Sequence, residues 1–261
     1  MGDKTRRYDD AFVHLDVLGH ACTIEARVRV GEARPTDILP LARAIAGKVT
    51  EIGAAVAAEQ GQTVSCRAGC AACCRHIVPV APLEALALAR LVKALPPKRR
   101  EIVRRRFAAA LRRLEDLGLL DRNAPRGRSG LQTHAREIGA AWAEANARYF
   151  VAGIACPFLE DERCSIYEER PVACREFQVV TPAERCSSLD SGVETTPRAI
   201  FMSEVLSDLS ATLADVPARG IPLVLALEWA EVDGALLDRK VDGQDLFHLL
   251  TEHVAAHAEG D

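Results

Sequence analysis

The hydrophobic residues follow two different periodicities, one near the N-terminus and the other along the rest of the chain. Apolar and polar residues alternate over residues 13–17 and again, after Gly19, over residues 24–30. Alternation with a period of two is typical of strands that bury one face, so this stretch predicts a two-stranded β-hairpin. From Thr36 onward the apolar residues recur every three or four positions, which predicts amphipathic α-helices.

Turn-forming residues set the limits of these helices. Pro82 suits the first turn of one helix, Pro96 and Pro97 stop it, and Gly61 ends the preceding helix. The Pro, Gly and polar composition of residues 121–130 predicts an exposed, mobile loop. The predicted helices run from Thr36 to near Gly61, over residues 82–95, 98–117, 131–149, 196–213 and 222–232, and from Asp242 towards the end of the chain.

The composition indicates that the chain can form a hydrophobic core without disulfide crosslinks. Its 261 residues are 49% hydrophobic, which is enough for one large or two small domains. The first ten residues lack the apolar run of a secretory signal, and eighteen uncharged apolar residues never occur in succession. We therefore expect a soluble cytoplasmic protein with no membrane partner. In a reducing cytosol, nine cysteines are better explained as metal ligands or reactive thiols than as disulfides.

The predicted helix over residues 98–117 is rich in arginine. Nucleic-acid binding is disfavoured, because the formal net charge is −4 and no aromatic residues interleave for base stacking. Three acidic residues, Glu101, Glu115 and Asp116, also dilute the charge, so a solvated helix face is the favoured interpretation. The basic residues are Lys98, Arg99, Arg100, Arg104, Arg105, Arg106, Arg112 and Arg113.

The cysteines form a compact set and a dispersed set. Four thiols fall within the nine residues 66–74, and four more follow after a long gap. Eight thiolates are enough for two closed four-thiolate sites or for one larger cluster, since zinc and iron–sulfur iron both favour tetrahedral sulfur coordination. The ninth, Cys22, is interpreted as a small, partly buried apolar side chain. The two sets are Cys66, Cys70, Cys73 and Cys74, and Cys156, Cys164, Cys174 and Cys186.

The spacing of the compact set indicates shared ligation. Cys70-Ala-Ala-Cys73 spans about one helical turn, which lets both sulfurs reach one ion. The adjacent side chains of Cys73 and Cys74 diverge by roughly 100° on a helix, so they more naturally serve two sites or two metals of one cluster. We expect the sets to mix, with Cys66, Cys70 and Cys73 joined by one late cysteine and Cys74 joining the others.

These motifs together resemble the YkgJ-type cysteine-cluster family over roughly residues 60–190. The resemblance rests on Cys-x3-Cys-x2-Cys-Cys, Pro82-Leu-Glu-Ala-Leu-Ala-Leu-Ala, Cys156-Pro-Phe-Leu, Cys164-Ser-Ile-Tyr-Glu and Arg170-Pro-x-x-Cys-Arg. That family is described as a zinc- or iron-chelating domain, and the related flagellin lysine N-methylases carry a similar cluster. The resemblance implies that Tyr167, Arg170 and Pro171 shape the loop. The metal ligands that it implies are Cys66, Cys70, Cys73, Cys74, Cys156, Cys164, Cys174 and Cys186.

Three functions remain open at this stage. Metal binding is favoured, with an iron–sulfur cluster preferred over Zn²⁺ because it accounts for the tandem cysteines. The spacing Cys66-x3-Cys70-x2-Cys73 is also that of radical S-adenosylmethionine enzymes, so a radical or methylase-type enzyme with a [4Fe–4S] cluster is an alternative. No alternating strand and helix pattern follows to build the usual partial barrel. A thiol redox sensor is the third interpretation, and the sequence leaves open whether the protein is an enzyme.

Charged neighbours of the thiols have alternative roles. His76 is a candidate ligand or hydrogen-bond donor to a ligating sulfur, although a packed or surface histidine is favoured. Four arginines flank the thiols, where positive charge would favour thiolates and structural ion pairing is the equal alternative. They are Arg67, Arg75, Arg170 and Arg175. The histidines of the last predicted helix, His248, His253 and His257, are assigned to the surface.

These observations predict a mainly α fold. It is a helical bundle with a small N-terminal β-hairpin and an irregular cysteine-rich metal-binding segment. The predicted parts are an N-terminal extension over residues 1–35, a cysteine-cluster metal-binding domain over residues 36–193 with a loop near 121–130, and a C-terminal helical part over residues 194–261 that packs on it.

Overall fold

The computed structural model of the chain describes residues 7–132, 138–189, 192–215 and 218–258. It is 54% helical, with eight α-helices in the described residues, which confirms the mainly α class. These are α1 (Leu39–Glu59), α2 (Pro82–Ala94), α3 (Pro97–Asp116), α4 (Ile138–Val151), α5 (Val172–Glu176), α6 (Met202–Ala214), α7 (Ala226–Val232) and α8 (Gly243–Ala258). Within the described ranges, no helix is long and apolar enough to cross a membrane.

The strands of the described residues form four antiparallel pairs. They are β1 (Tyr8–Val17), β2 (His20–Arg29), β3 (Glu32–Ala33), β4 (Pro79–Val80), β5 (Leu159–Glu160), β6 (Arg163–Cys164), β7 (Ile221–Pro222) and β8 (Val241–Asp242). β1 pairs with β2, β3 with β8, β4 with β7 and β5 with β6. These pairs do not build the parallel sheet that an alternating strand and helix pattern would produce.

The N-terminal hairpin is confirmed. Val13 and Ile24 face each other across β1 and β2 and are both buried, whereas Phe12 on the outer face is 53% exposed. The strands are joined at Leu18 and Gly19, which both have positive φ, a conformation that glycine adopts without steric cost. One face of the hairpin therefore belongs to the main core.

Cys22 lies on β2 opposite Leu15. Its side chain is partly buried and packs against the main core. The interpretation of Cys22 as a small apolar side chain is confirmed.

Helices α2 and α3 begin and end within two residues of their predicted limits. The start of α1 differs, because Pro35–Ile38 form a 3₁₀ turn and the α-helix begins only at Leu39. The Asp37 carboxylate accepts a hydrogen bond from the Arg34 N–H (3.0 Å). Asp37 thus closes the 3₁₀ turn that precedes the helix.

The prediction that a helix begins at Thr196 is wrong, because α6 begins at Met202. The Thr196 N–H donates to the Gln178 carbonyl (3.0 Å), and Thr195 forms an antiparallel bridge with Val179. Pairing with a distant segment holds these residues extended, so their backbone groups are not available for a first helical turn.

Two other helix starts also differ from the prediction. Leu131 and Gln132 are not helical, residues 133–137 lie outside the described residues, and α4 is helical from Ile138. Pro222 belongs to β7, and α7 begins at Ala226 after a 3₁₀ turn. The strand pairing of Pro222 with Pro79 explains the later start.

The loop over residues 121–130 is irregular, as predicted, but it is anchored by one buried side chain. The Arg128 guanidinium donates to both carboxylate oxygens of Glu228 on α7 (2.8 and 2.6 Å) and to Glu115 on α3 (2.8 Å). The side chains of Arg128 and Glu228 are only 11% and 3% exposed. This bidentate pair fixes the loop between two helices.

The helices share one main core. It contains Val17 of the hairpin, Ile45 of α1, Leu83 of α2 and Leu206 of α6, each fully buried. The C-terminal helices therefore pack on the preceding ones, and the predicted domain limits stay a prediction. A separate, much smaller core surrounds the cysteine turns and consists of Ala72, Val179 and Cys186, with Cys70 and Val193 packed against it.

Candidate metal centre

The compact cysteine set lies on tight turns. Cys73 and Cys74 belong to a 3₁₀ turn, Ala72–Arg75, and Ala71 precedes it in the left-handed conformation (φ 46°). The N–H of Cys70 closes the turn before that. Although a 3₁₀ turn separates adjacent side chains by about 120°, the Cys74 thiol still interacts with Cys73 and raises its pKa.

The dispersed cysteines lie in or just before four separate short elements. Cys156 precedes β5, Cys164 ends β6, Cys174 lies in α5, and Cys186 lies in a 3₁₀ turn over residues 183–187. The Cys156 N–H donates to the Cys74 carbonyl (2.7 Å), so the two sequence segments are joined directly by a backbone hydrogen bond.

Three thiols of the dispersed set interact electrostatically with Cys73. Burial raises the pKa of Cys156 to about 12, and the charges of Cys164 and Cys73 act in the same direction. Burial raises the pKa of Cys174 well above its usual value, with Cys156, Cys73 and Cys164 contributing. Burial also raises the pKa of Cys164, again with a contribution from Cys73. These four sulfurs are therefore neighbours.

A second group of thiols also interacts electrostatically with Cys73. Burial raises the pKa of Cys66, and Cys70 and Cys73 contribute. Burial raises the pKa of Cys186, and Cys66, Cys70 and Cys73 contribute in turn. Cys186 is thus the late cysteine that lies beside the compact set. The interaction with the Cys74 thiol and burial together raise the pKa of Cys73 itself.

The flanking arginines divide into two pairs. Arg75 forms an ion pair with Glu162 (2.6 Å), and Arg67 lies 3.9 Å from the Glu184 carboxylate. The charge of Arg170, in contrast, lowers the pKa of three thiols, those of Cys66, Cys73 and Cys164, and Arg175 does the same for Cys164.

Arg170 is held in place from two sides. Its guanidinium lies over the Tyr167 ring (4.1 Å), and its carbonyl accepts a hydrogen bond from Nε of Arg175 (3.3 Å). Arg175 also donates to the Glu168 carbonyl. The loop that the resemblance implies is therefore shaped by a cation over an aromatic ring, with the positive charge on the side of the thiols.

A buried carboxyl group that the sequence interpretation missed supports α5. Glu84 in the first turn of α2 is 1% exposed and accepts hydrogen bonds from the N–H groups of Val172 (2.8 Å) and Ala81 (3.3 Å). Burial raises the pKa of Glu84 to about 7. Since α5 carries Cys174, Glu84 fixes the position of that ligand candidate. The available signal was an acidic residue within the apolar run Pro82-Leu-Glu-Ala-Leu.

A second buried acid holds the other end of α5. Glu176 is 2% exposed and accepts hydrogen bonds from the N–H and the hydroxyl of Ser203 (3.1 and 2.9 Å) at the start of α6. Burial raises the pKa of Glu176. The short helix that carries Cys174 is thus tied to α2 and α6 through buried carboxyl groups.

The donor set fits a thiophilic metal in its chemistry. All nine cysteines are free thiols, and Cys73 lies within electrostatic range of six others. Those six are Cys66, Cys74, Cys156, Cys164, Cys174 and Cys186. The side chains do not form a finished coordination shell: no group of three or more His, Cys, Asp or Glu among the described residues is arranged to hold an ion. The cysteines therefore fit such a metal in donor type and in their interactions with one another, and not in a completed coordination geometry.

The family comparison agrees with this geometry. Residues 65–191 match the model of the CxxCxxCC family, described as a "putative zinc- or iron-chelating domain". The predicted resemblance is therefore confirmed over these residues. The match supports metal binding without deciding between zinc and iron. No curated protein and no solved structure matches the chain significantly.

Proposed function

We propose that this protein binds metal through cysteine thiolates from both segments, as an iron–sulfur cluster in preference to zinc. The observation that carries the proposal is that the two segments meet at the Cys156–Cys74 backbone hydrogen bond (2.7 Å). Beside it, the charge of Cys73 raises the pKa of thiols from both segments, namely Cys66, Cys156, Cys164, Cys174 and Cys186. The proposed ligands are Cys66, Cys70, Cys73, Cys74, Cys156, Cys164, Cys174 and Cys186.

The crowding at Cys73 and Cys74 favours a cluster over separate single ions. One zinc ion accepts four protein ligands in a structural site, so two zinc sites would require the thiols to divide cleanly. Cys73 interacts with members of both groups, and the Cys74 thiol raises its pKa. A cluster with several irons accepts adjacent thiolates on different irons, which matches this arrangement.

The raised thiol pKa values have a consequence for binding. A metal coordinates the thiolate, so thiols that burial keeps protonated must lose their protons when metal binds. Metal affinity should therefore increase with pH. Arg170 lowers the pKa of Cys66, Cys73 and Cys164, so its charge opposes the cost of forming thiolates there.

The other two interpretations receive less support. Redox-sensor cysteines are accessible and have a low pKa, whereas Cys156 and Cys174 are partly buried and their pKa values are raised. The two-stranded antiparallel sheets of the described residues offer no barrel for radical chemistry. A redox sensor and a [4Fe–4S] enzyme thus remain alternatives, to be decided by the metal itself.

The test is purification without oxygen, followed by iron, zinc and acid-labile sulfide analysis and a visible spectrum. We expect iron and sulfide in comparable amounts and a brown protein. Stoichiometric zinc in a colourless protein would overturn the cluster and keep the thiolate site. Folded protein without either metal would overturn metal binding and favour the thiol sensor.

A further inference from the structure

His76 joins the two turns that carry Cys73 and Cys186. It follows the 3₁₀ turn Ala72–Arg75 directly, and its Nε2 lies 2.8 Å from the carbonyl oxygen of Cys186. A carbonyl oxygen only accepts hydrogen bonds, so Nε2 carries the proton and donates it. The ring therefore connects two cysteine-bearing turns that are 110 residues apart in sequence.

The other ring nitrogen is also occupied. Nδ1 of His76 lies 3.0 Å from Nδ2 of Asn146 on α4, and an amide NH₂ group donates to an unprotonated ring nitrogen. The orientation of the amide is fixed because Asn146 Oδ1 accepts the N–H of Ile77 (2.9 Å). With both nitrogens hydrogen-bonded, His76 is a packed histidine in this structure, and the ligand interpretation of His76 is not supported.

Helix α4 holds the ring as well as its nitrogens. Phe150 lies one turn after Asn146, and its ring stacks on that of His76 with centroids 4.8 Å apart and an angle of 29°. Residues at i and i+4 share one face of a helix, so a single face of α4 fixes the position, the tautomer and the plane of His76.

Cys186 depends on this support because little apolar surface surrounds it. Among the described residues, the core around its turn consists of Ala72 and Val179, with Cys70 and Val193 packed against it. Few apolar contacts restrain a turn weakly, so one well-oriented hydrogen bond to the Cys186 carbonyl makes a large difference to where its thiol lies.

We propose that His76, oriented by Asn146, is a positioning residue that places Cys186 beside Cys66, Cys70 and Cys73 so that it can ligate the metal. This inference rests on the proposed function. His76 acts through the backbone of Cys186 and does not itself bind the metal.

The test compares substitutions that separate hydrogen bonding from ring stacking. His76→Phe keeps an aromatic ring against Phe150 and loses both hydrogen bonds. His76→Gln loses the ring, but its amide can accept from Asn146 and donate to the Cys186 carbonyl. Cys186→Ser serves as the reference for loss of this ligand. The matched control is His253→Phe on α8, where the His253 ring lies 3.2 Å from the Thr212 hydroxyl, away from the cysteine turns.

Two measurements are made on each variant purified without oxygen: the chelator concentration that removes half of the bound metal, and the absorption spectrum of the bound metal. For His76→Phe we expect this concentration to fall by about 10- to 100-fold, as for lost groups that orient metal ligands. Its spectrum should resemble that of Cys186→Ser. His76→Gln should retain most of the wild-type values, and His253→Phe should equal the wild type.

The outcomes separate this inference from the proposed function. If the wild type holds no metal, both fail. If the wild type holds metal and His76→Phe retains it as firmly as His253→Phe does, only the inference fails. Equal losses in His76→Gln and His76→Phe would also overturn it, since a lost ligand has that effect. Should His76→Phe not fold, Asn146→Ala decides: metal loss with an unchanged far-ultraviolet circular dichroism spectrum supports the inference, and unchanged metal retention contradicts it.

Discussion

The main core and the cysteine turns differ in what holds them in place. The main core buries large side chains from the hairpin and the long helices, with Ile45, Leu83 and Leu206 fully inaccessible. Around Cys70 and Cys186 the apolar contribution is a handful of small side chains. Apolar burial stabilises in proportion to the area removed from water, so it accounts for the first region and not for the second.

Polar contacts add to apolar burial in the cysteine segment, whose Phe158, Ile166 and Val172 belong to the main core. Glu84 and Glu176 fix α5, and His76 fixes the turn of Cys186. Directed hydrogen bonds of this kind define positions more than they add free energy. We therefore expect the turns of Cys70 and Cys186 to depend on metal for their final geometry more than the main core does.

The largest effect on the scaffold is expected from its buried ion pair. Glu228→Ala leaves the Arg128 guanidinium without its main partner, and we expect the free energy of unfolding to fall by about 3 to 5 kcal/mol. Glu231→Ala is the control, because Glu231 lies on the same helix and forms an exposed pair with Arg126. It should cost about 1 kcal/mol or less. Urea unfolding measures both, and equal losses would contradict the account.

The pH dependence of stability tests the role of Glu84, which joins α2 of the main core to the cysteine-bearing helix α5. Unfolded chains release the Glu84 proton near pH 4.5, whereas the folded protein retains it until about pH 7. The folded state therefore binds more protons in this window, and stability falls as pH rises, by about 3 kcal/mol from this group. The Glu84→Gln variant has no carboxyl group to titrate at this position, so it lacks this loss of stability. Its stability relative to the wild type should increase between these pH values, and parallel stability curves would show that the prediction is wrong.

The two faces of the hairpin offer a smaller comparison within the scaffold. Val13→Ala removes two buried methyl groups and should cost about 2 kcal/mol. Phe12→Ala on the outer face should change stability by about 0.5 kcal/mol or less, because a surface substitution removes little buried area. Thermal unfolding of both variants checks this order, and a larger loss for Phe12→Ala would contradict the assigned faces.

A smaller effect than that of Val13→Ala is expected at Cys22. It is a partly buried cysteine of the scaffold, outside both cysteine sets. Cys22→Ser should lower stability by about 1 kcal/mol or less and leave the metal content unchanged. Loss of metal in this variant would place Cys22 among the ligands.

Local patterns predicted the parts of the fold that depend on local physics. The limits of α2 and α3 follow from apolar spacing and prolines, and the hairpin follows from alternation, so both were accessible. The start of α6 was not, because Thr196 pairs with Gln178 from another segment. Backbone pairing of this kind overrides a local helix start and leaves no local pattern.

The candidate site shows the same division. Cysteine spacing predicted the donor set, but the side on which each thiol lies depends on how separate turns pack. Asn146 and Glu84 escaped notice because their partners are distant in sequence: Glu84 binds a backbone N–H 88 residues away. A single polar residue in a helical pattern resembles any surface residue until its partner is known.

The central claim is that thiols from both segments bind metal together, with Cys73 common to the two groups. The most direct test is the content of iron, zinc and acid-labile sulfide per chain in Cys73→Ser, compared with Cys22→Ser and the wild type, all purified without oxygen. We predict that Cys73→Ser loses most of its metal while Cys22→Ser keeps the wild-type amount. Wild-type metal content in Cys73→Ser would contradict the account.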